Sequence, residues 1–375
     1  MSQAASIHSP TVSMVITELD IGGAERAFVR IAAGLRHRGW TVRVISLRDA
    51  GELSADLSGE HIVVDALDCG SLLDLRAPIR LTRQFRRNRP DVVLSFLHQA
   101  NLMSRLAAWW VGIRNVVCGI RVADRRLSVT LPDRWTRGLV TRFVAVSQTV
   151  ANVHAEACHL KLRPDVIPNG VDLDAIAKVP PADRSSFGCD RDDFIILCVG
   201  RLSKQKAPLD ALRGFCRLRS MCPSNLVPRL RLVFLGDGPL APRLRREISS
   251  RNLTNCVQLL GWRSDASSLM KSADLLLLAS RWEGLPNVLM EAQAAGLPIV
   301  ASAVDGNTEL IRHGITGRLF RSGDVSEMAS QMSEAILQSD QTRAMADSAR
   351  SAVSAFTWEA SIDAYDHLLR SLLPS

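Results

Sequence analysis

Apolar and polar residues alternate along the chain in blocks that predict strands and helices in turn. Short runs rich in β-branched residues or leucine recur, and amphipathic stretches lie between them, which is the pattern of parallel sheets covered by helices. The predicted strands cover residues 12–17, 41–47, 62–65, 91–96, 115–120, 143–146 and 166–168 in the first half, and 194–199, 230–235, 257–260, 274–279 and 298–301 in the second half. The fold class that this pattern predicts is α/β.

Helices are predicted where apolar residues recur every three or four positions. Residues 24–38 have the spacing of one buried helical face, so a strand, a glycine turn and a helix open the chain. Further helices are predicted at residues 208–221, 240–251, 286–295, 325–338 and 358–373. The two series predict two Rossmann-like domains. Sheets of this kind bind ligands beyond the carboxyl ends of their strands, so two facing domains would form one deep cleft.

The length of 375 residues favours two domains over one. We expect an N-terminal domain at 1–175 and a C-terminal domain at 194–357, with a helix at 358–375 that packs back toward the N-terminal domain. Residues 176–193 contain two adjacent prolines, several charges and little periodicity, so they are expected to form the linker.

Composition narrows the class of protein. Hydrophobic residues make up 47% of the chain and charged residues 22%, which excludes disorder and collagen-like architecture. The net charge of +8 favours an acidic partner. The eight cysteines form no C-x-x-C pair, so free thiols in a reducing compartment are expected rather than disulfides or a zinc site.

Two further absences bear on location. Residues 1–10 lack the charged and apolar regions of a signal peptide, and no apolar run approaches the roughly 18–20 residues that span a bilayer. We therefore expect a cytoplasmic protein whose contact with a membrane, if it has one, is peripheral.

Positive charge is concentrated between Arg76 and Arg142. This stretch has fourteen arginines, no lysine and three acidic residues, a local net charge of +11, and it also contains Trp109 and Trp110. A solvated arginine-rich surface explains the pattern, and so does contact with an anionic membrane at the inner face of the cell, because aromatic and cationic residues suit a membrane interface. Nucleic acid is not an expected partner, since no nucleic-acid-binding motif accompanies the arginines.

Three glycine-containing turns follow predicted strands. Gly22 and Gly23 open a helix whose N-terminus favours an anion, although a tight turn explains them equally well. In residues 200–206, Arg201 and Lys206 together could neutralise a diphosphate, although cations at the surface of a loop are also common without a ligand. Residues 236–241 imitate a dinucleotide fingerprint but lack the acidic residue that holds a ribose, so no nicotinamide or flavin cofactor is expected.

The strongest signal is residues 280–292, which follow the predicted strand 274–279. Glu283 precedes a turn, and Pro286 suits the first turn of the helix that carries Glu291. The two carboxylates are therefore placed to hold two parts of one ligand, and Gly284 lets the backbone approach it. An exposed helix face is the alternative, but the surrounding leucines and alanines leave few solvated positions for it.

The combination of these motifs resembles the family 4 glycosyltransferases, retaining enzymes with an E-x7-E motif and the GT-B fold of two facing Rossmann-like domains. The E-x7-E match is Glu283 to Glu291. The resemblance extends through residues 22–26 (GGAER), 144–148 (VAVSQ), 166–172 (VIPNGVD), 199–206, 236–239, 283–291, 306–311 and 314–317. Two departures are small, because Ala207 replaces a frequent glycine and Gln293 a frequent methionine without loss of a charge.

The resemblance implies a nucleotide-diphospho-sugar donor held mainly by the C-terminal domain. Arg201 and Lys206 would bind the diphosphate, Glu283 would contact the transferred sugar, and Glu291 would bind the ribose hydroxyls. The other donor-binding residues that it implies are Gly284, Leu285, Pro286 and Asn287 at the sugar and phosphate, and Leu260 and Arg263 at the base.

The N-terminal domain would complete the site. The resemblance places Gly22 and Gly23 at the donor phosphate across the cleft, and His98 close to the sugar and the acceptor. The catalytic groups would then be Glu283, His98, Arg201 and Lys206. Fixed cations would stabilise the charge on the leaving diphosphate, so neither a metal nor a cofactor is expected.

The expected function is therefore retaining transfer of a hexose to a glycan or polyprenyl-diphosphate-linked acceptor in the synthesis of cell-surface polysaccharide or glycoconjugate. UDP is the preferred nucleotide on family frequency, with GDP next. Two alternatives stay open: a non-catalytic GT-B protein that binds a nucleotide-sugar as a scaffold, and a GT-B nucleotide-sugar epimerase.

Overall fold

The structure is a computed structural model that describes residues 9–70, 74 and 76–374. Contacts among these residues divide the chain into two compact units, Met1–Asn169 with Trp358–Ser375, and Gly170–Thr357. Residues 1–8, which form most of the segment examined for a signal peptide, lie outside the described residues.

The strands alternate with helices along the whole chain. They are β1 (Thr11–Ile16), β2 (Thr41–Ser46), β3 (Val63–Ala66), β4 (Val92–Phe96), β5 (Val116–Ile120), β6 (Arg142–Ala145), β7 (Asp165–Val166), β8 (Phe194–Val199), β9 (Leu230–Leu235), β10 (Val257–Leu259), β11 (Leu275–Leu278), β12 (Ile299–Ser302) and β13 (Arg318–Phe320). The α-helices are α1 (Gly23–His37), α2 (Ser54–Gly59), α3 (Arg76–Arg87), α4 (His98–Val111), α5 (Leu127–Thr136), α6 (Gln148–Cys158), α7 (Leu173–Lys178), α8 (Pro208–Met221), α9 (Ala241–Ser250), α10 (Ala266–Ser272), α11 (Asn287–Ala295), α12 (Asp305–Leu310), α13 (Val325–Leu337), α14 (Ser339–Val353) and α15 (Trp358–Arg370).

Each unit is built on a parallel sheet. The strand order is β3-β2-β1-β4-β5-β6-β7 in the first unit and β10-β9-β8-β11-β12-β13 in the second. All strand pairs in the described residues are parallel. The order reverses beside β1 in one sheet and beside β8 in the other, which is the switch point of a Rossmann-like sheet. Ligand sites are expected at the carboxyl ends of these strands.

Helix α15 packs within the first unit although it follows the second in sequence. Its Tyr365 is buried, and the ring lies 6.1 Å from that of Phe96, which in turn lies 5.4 Å from that of Phe28 on α1. A side chain at Gly34 of α1 would collide with Ile362. The glycine therefore lets the two helices approach, and the ring of Tyr365 becomes part of the core.

The second unit has its own core between the sheet and helices α8 and α13. Phe215 of α8 and Met328 of α13 are fully buried. The sulfur of Met328 occupies the space where a side chain at Gly214 would stand. The apolar spacing of α8 and α13 follows from this one-sided contact.

The predicted strands and helices are present, with bounds that differ mostly by one or two residues. The predicted final helix, 358–373, ends earlier, at Arg370. Pro286 precedes α11 as its N-cap and is not in its first turn. The elements named from the sequence did not include β13 or the helices α2 to α7, α10, α12 and α14.

Residues 176–193 were predicted to be a linker between the domains. They belong instead to the second unit, which begins at Gly170. Carbonyl groups of the segment accept hydrogen bonds from α10: Ser268 Oγ donates to Pro180 at 2.6 Å, and Lys271 Nζ donates to Val179 at 2.6 Å. The two prolines interrupt helical periodicity in this segment, but its carbonyl groups still accept hydrogen bonds from a neighbouring helix. The segment is therefore packed against α10.

Candidate functional site

Backbone hydrogen bonds join the loops after β8, β9 and β10 at the carboxyl edge of the second sheet. Leu202 N donates to Asp237 O at 2.8 Å, and Gly236 N donates to Gly261 O at 2.7 Å. Gly236 has φ of +136°, and any side chain there would collide with the carbonyl of Gly200. The dinucleotide-like glycines thus serve close packing of three loops.

Lys206 and Glu283 form an ion pair at this edge. Lys206 Nζ lies 2.6 Å from Glu283 Oε1, and Ser280 Oγ donates to the same oxygen at 2.6 Å. Gln205 Nε2 donates to the other oxygen at 3.4 Å. The side chain of Glu283 is 6% exposed, whereas that of Lys206 is 21% exposed. The carboxylate is therefore fixed by three neighbours, and the ammonium group keeps access to solvent.

The loop that carries Lys206 is held in a compact form. A side chain at Gly200 would lie 3.2 Å from Lys206 Cε. Ala207 has φ of +47°, a left-handed conformation that disfavours residues with a Cβ. This is the position where the family often has glycine, so the backbone keeps the turn while the residue type has changed. Arg201, at the start of the loop, is exposed.

A pocket of about 430 Å³ opens beside this loop. It has four basic side chains, one acidic side chain and a tryptophan. Its residues are Lys204, Ala207, Leu209, Asp210, Arg213, Leu240, Arg243, Arg281 and Trp282. Asp210 is bound to both Arg213 and Arg281, so the net charge of the pocket is positive. The electrostatic field at this end of the loop favours anions.

The turn between β11 and α11 contains the glycine-rich part of the E-x7-E motif. Gly284, Leu285 and Pro286 are buried, and Asn287 begins α11 half-buried. Glu291 lies about one turn into α11 and is also half-buried. A side chain at Gly306 of α12 would collide with the carbonyl of Gly284. The turn is thus fixed by backbone packing, and the positive end of the α11 dipole lies next to it.

Leu260 and Arg263 follow β10 on the same side of the sheet. Leu260 N donates to Phe234 O at 3.0 Å. Arg263 forms two hydrogen bonds with Asp265, at 2.6 and 2.8 Å, and these raise the pKa of its guanidinium. Arg263 therefore lies where a base-contacting residue was expected, but its charge is already paired with Asp265.

The first unit places Gly22 and Gly23 at the N-terminus of α1, after β1. The carboxylate of Glu25 folds back over Gly22, in contact with the space a side chain would need. Burial raises the pKa of Glu25. An acidic group therefore shares the position where an anion was expected. Glu25 lies in the first turn of α1, where an acidic side chain interacts favourably with the positive end of the helix dipole.

His98 begins α4 after β4, and Leu97 before it has φ of +73°. His98 Nδ1 lies 3.9 Å from Asp133 Oδ2, and burial lowers the pKa of His98. Asp133 is 2% exposed and pairs with Arg105, which is fully buried, at 2.9 Å. The sequence suggested that the arginines of this region lie at the surface, but Arg105 is internal because it neutralises a buried aspartate.

The same buried cluster contains the one group in the described ranges whose geometry could hold a metal ion, namely Asp133, His154 and Cys158. Burial raises the pKa of Cys158 to about 11 and lowers that of His154 to about 4. Asp133 is already paired with Arg105. A cation would have to displace the guanidinium and deprotonate a thiol, so these residues fit an internal ion pair better than a metal site.

The structure therefore brings Lys206 and Glu283 into contact and places Arg201, Glu291, Leu260 and Arg263 on loops and a helix at one edge of the second sheet. Gly22, Gly23 and His98 lie at the carboxyl ends of β1 and β4 in the first unit. Sequence reasoning missed Ser280 and Gln205 as partners of Glu283 and Asp133 as the partner of His98. One feature of the sequence indicated Ser280, because this residue directly follows the predicted apolar strand 274–279.

Solved structures with this architecture define the class of protein. The fold is similar to that of Anabaena Alr3699/HepE in complex with UDP, with a TM-score of 0.81, 22% identity and coverage of 96% of this chain and 100% of that one. It is also similar to a glycosyltransferase from Rickettsia africae, with a TM-score of 0.82, 20% identity and coverage of 97% and 99%. The chain thus has the GT-B fold of glycosyltransferases, with two Rossmann-like domains.

Family models narrow the class. Residues 181–352 match glycosyl transferases group 1, and residues 21–175 match glycosyltransferase family 4. The two matches cover most of both units. The chain therefore belongs to the family 4 glycosyltransferases, as the motifs indicated.

Curated relatives have diverse acceptors. The chain is 29% identical over 274 residues, 69% of its length and 70% of the relative's, to an Escherichia coli UDP-Gal:alpha-D-GlcNAc-diphosphoundecaprenol alpha-1,3-galactosyltransferase. It is 25% identical over 354 residues, 93% of its length and 96% of the relative's, to the lipopolysaccharide core biosynthesis glycosyltransferase LpsE of Rhizobium meliloti. Among the helices of the described residues, none has the length and apolar character needed to cross a bilayer.

Proposed function

We propose that this protein is a retaining hexosyltransferase that moves a sugar from a UDP-sugar to a glycan or lipid-linked acceptor in the synthesis of cell-surface polysaccharide or glycoconjugate. The ion pair between Lys206 and Glu283 is the observation that carries the proposal. It joins the first glutamate of E-x7-E to the basic loop, so one group can contact the sugar while the other contacts the diphosphate.

The choice of donor and acceptor is supported by the similar proteins. HepE was solved with UDP and with UDP-glucose, and the Escherichia coli relative is named for UDP-Gal. That relative is also named for a diphosphoundecaprenol-linked acceptor, and LpsE for lipopolysaccharide core. We therefore propose UDP as the nucleotide and a polyprenyl-diphosphate-linked glycan as the acceptor.

The chemistry follows from charge. As the bond between sugar and diphosphate breaks, negative charge grows on the leaving oxygen. Lys206, held by Glu283, and the exposed Arg201 are the cations that stabilise this charge more in the transition state than in the bound donor. Glu283 holds Lys206 in place and accepts from a sugar hydroxyl, and Glu291 accepts from the ribose. A lowered pKa keeps His98 neutral near pH 7, so its ring can hydrogen-bond to a hydroxyl without adding charge.

Location is also part of the proposal. The described cysteines are all free, and burial raises the pKa of several, which suits a reducing compartment. A cytoplasmic enzyme that works at the inner face of the membrane would have access to both a nucleotide-sugar and a lipid-linked acceptor.

The proposal is tested by transfer from UDP-glucose, UDP-galactose or UDP-GlcNAc to GlcNAc-diphosphoundecaprenol and to soluble glycan acceptors. Retention is measured by NMR of the product, whose new anomeric centre should keep the α configuration of the donor. Lys206→Met should lower kcat/KM by about 100-fold or more. Lys178→Met is the matched control, because this exposed lysine in the last turn of α7 does not line the pocket beside the loop and should leave transfer within a few fold.

The other candidate functions give different results in the same assay. A β-configured product would contradict the retaining mechanism. Conversion of the UDP-sugar into its epimer without an acceptor would identify an epimerase. Binding of UDP-sugars without any transfer to the tested acceptors would favour a scaffold, and an unchanged rate in Lys206→Met would refute the site.

A further inference from the structure

The first unit carries an exposed aromatic surface that the proposed donor site does not use. Trp109 and Trp110 at the end of α4 are 65% and 61% exposed, and Trp135 of α5 is 80% exposed. A single exposed apolar residue is ordinary in a soluble protein. Three tryptophans on two contacting helices are not, because each leaves a large ring in water.

Two large apolar residues of α5, Leu127 and Trp135, are exposed, and Leu131 between them is half-buried. Leu127, Leu131 and Trp135 are four positions apart and therefore line one side of the helix. Leu127 is 68% exposed. Thr130 and Asp133, on another side, are buried. A helix that packs on a soluble core has the reverse arrangement, so this outer face indicates a partner that covers it.

Buried contacts fix this face relative to the tryptophans of α4. The guanidinium of Arg105 on α4 lies 2.9 Å from Asp133 and donates to Thr136 Oγ1 at 2.8 Å, both on α5. Trp109 is one helical turn beyond Arg105 and lies on the same side of α4. Trp135 directly precedes Thr136 on α5, so each of the two tryptophans lies within one helical turn of a residue that joins the helices.

Positive charge accompanies these aromatic residues. The exposed arginines between residues 109 and 142 are Arg114, Arg125, Arg126, Arg134, Arg137 and Arg142. Both acidic residues in the stretch are paired: Asp124 lies 2.5 Å from Arg126, and Asp133 is buried with Arg105. The surface therefore combines exposed apolar rings with a net positive charge.

We propose that this surface binds an anionic lipid bilayer. We define the tryptophan surface as Trp109, Trp110, Leu127, Leu131, Trp135 and the exposed arginines between residues 109 and 142. Tryptophan rings favour the boundary between acyl chains and headgroups, and arginines bind lipid phosphates. Apolar burial and basic charge together give stable attachment, where either alone is marginal. The inference rests on the proposed function in one respect, since a lipid-linked acceptor would lie in such a bilayer.

Flotation of the full-length protein with vesicles tests the proposal. We expect binding to vesicles of phosphatidylglycerol and phosphatidylcholine at low salt, and weaker binding at high salt or with phosphatidylcholine alone. Brominated lipids should quench tryptophan fluorescence. Arg125→Gln/Arg134→Gln should weaken partition on the order of 25-fold, because each basic residue near an anionic bilayer is worth about fivefold. Trp109→Ser/Trp135→Ser should weaken it about tenfold and remove most of the quenching.

Matched controls come from the second unit. Arg245 and Arg246 of α9 are exposed, and Trp262 is 52% exposed. Arg245→Gln/Arg246→Gln and Trp262→Ser remove the same kinds of group elsewhere on the protein. They should leave partition unchanged within twofold.

Several results would overturn the proposal. The first is no binding to anionic vesicles at low salt, and the second is an equal loss of binding in the control variants. The third is a change of mass in lipid-free sedimentation when the tryptophans are removed. That change would mean that a second copy of the chain covers the surface. Transfer to a water-soluble acceptor, measured in parallel, separates the two proposals. Transfer without vesicle binding would refute the membrane surface alone, whereas vesicle binding without transfer would refute the proposed function alone.

Discussion

The ion pair between Lys206 and Glu283 gives the sharpest prediction, because it links stability to the site. Lys206→Met removes the charge but keeps the length of the side chain. Glu283, only 6% exposed, would then keep its hydrogen bonds from Ser280 and Gln205 but lose its cation. Glu283→Gln removes the opposite charge, and the double variant removes both.

The magnitude follows from distance and burial. Two unit charges 2.6 Å apart attract by about 6 kcal/mol at an effective dielectric constant of about 20, and much of this is offset by the desolvation of both groups. Removal of one partner is expected to be costlier than removal of both, since it leaves an uncompensated charge. We expect Lys206→Met to lower the free energy of unfolding by about 3 kcal/mol. The double variant should be at least about 1 kcal/mol more stable than the sum of the single losses predicts.

Urea unfolding of the full-length protein and its three variants measures this coupling, and circular dichroism checks that each variant is folded before transfer is assayed. Additive losses, within about 0.5 kcal/mol, would show that the two groups do not stabilise each other and would refute the reasoning. A folded Lys206→Met protein without transfer activity would separate the catalytic role of the charge from its structural role.

Two further predictions concern pH and backbone strain. Burial lowers the pKa of His154 from 6.5 to about 4, so the folded state binds this proton less tightly than the unfolded state. Stability should be complete above pH 6.5 and fall by about 3 kcal/mol toward pH 4, and His154→Gln should flatten this part of a curve of unfolding free energy against pH. Ala207→Gly should raise the melting temperature slightly, because it relieves a left-handed alanine at about 1–2 kcal/mol while it loosens the unfolded chain by about 0.5–1 kcal/mol. A lower melting temperature in calorimetry would contradict the assigned strain.

Hydrophobic periodicity predicted elements such as α1, α8 and α13, each of which has one buried apolar face. It failed for β13 because Arg318 lies buried in that strand and binds Glu334, so a charged residue interrupts the pattern. It failed for α14 because small or polar residues such as Thr342 and Ala346 form much of its buried face. In neither segment do apolar and polar positions recur with a period that indicates a strand or a helix.

The site was predictable as a set of residues but not as a set of contacts. Glu283 and Lys206 were singled out by chemistry and by resemblance, yet their separation of 77 positions hides their ion pair from local patterns. The charge of the arginine-rich region was predictable, but not the burial of Arg105 or Arg121, which are 0% and 8% exposed. In the sequence, a buried arginine looks the same as a surface arginine. The two differ in the partner that the arginine contacts, and the fold brings that partner from a distant part of the chain.

The return of α15 to the first unit has a consequence for biosynthesis. Tyr365 and Leu369 belong to the core of that unit, but a ribosome makes them only after all of Gly170–Thr357. Until α15 has been made, the first unit lacks the residues that pack around Phe28 and Phe96. The second unit by then has every residue of its own core. The first unit can therefore complete its core only after the whole chain has been made, although its own residues begin at the N-terminus.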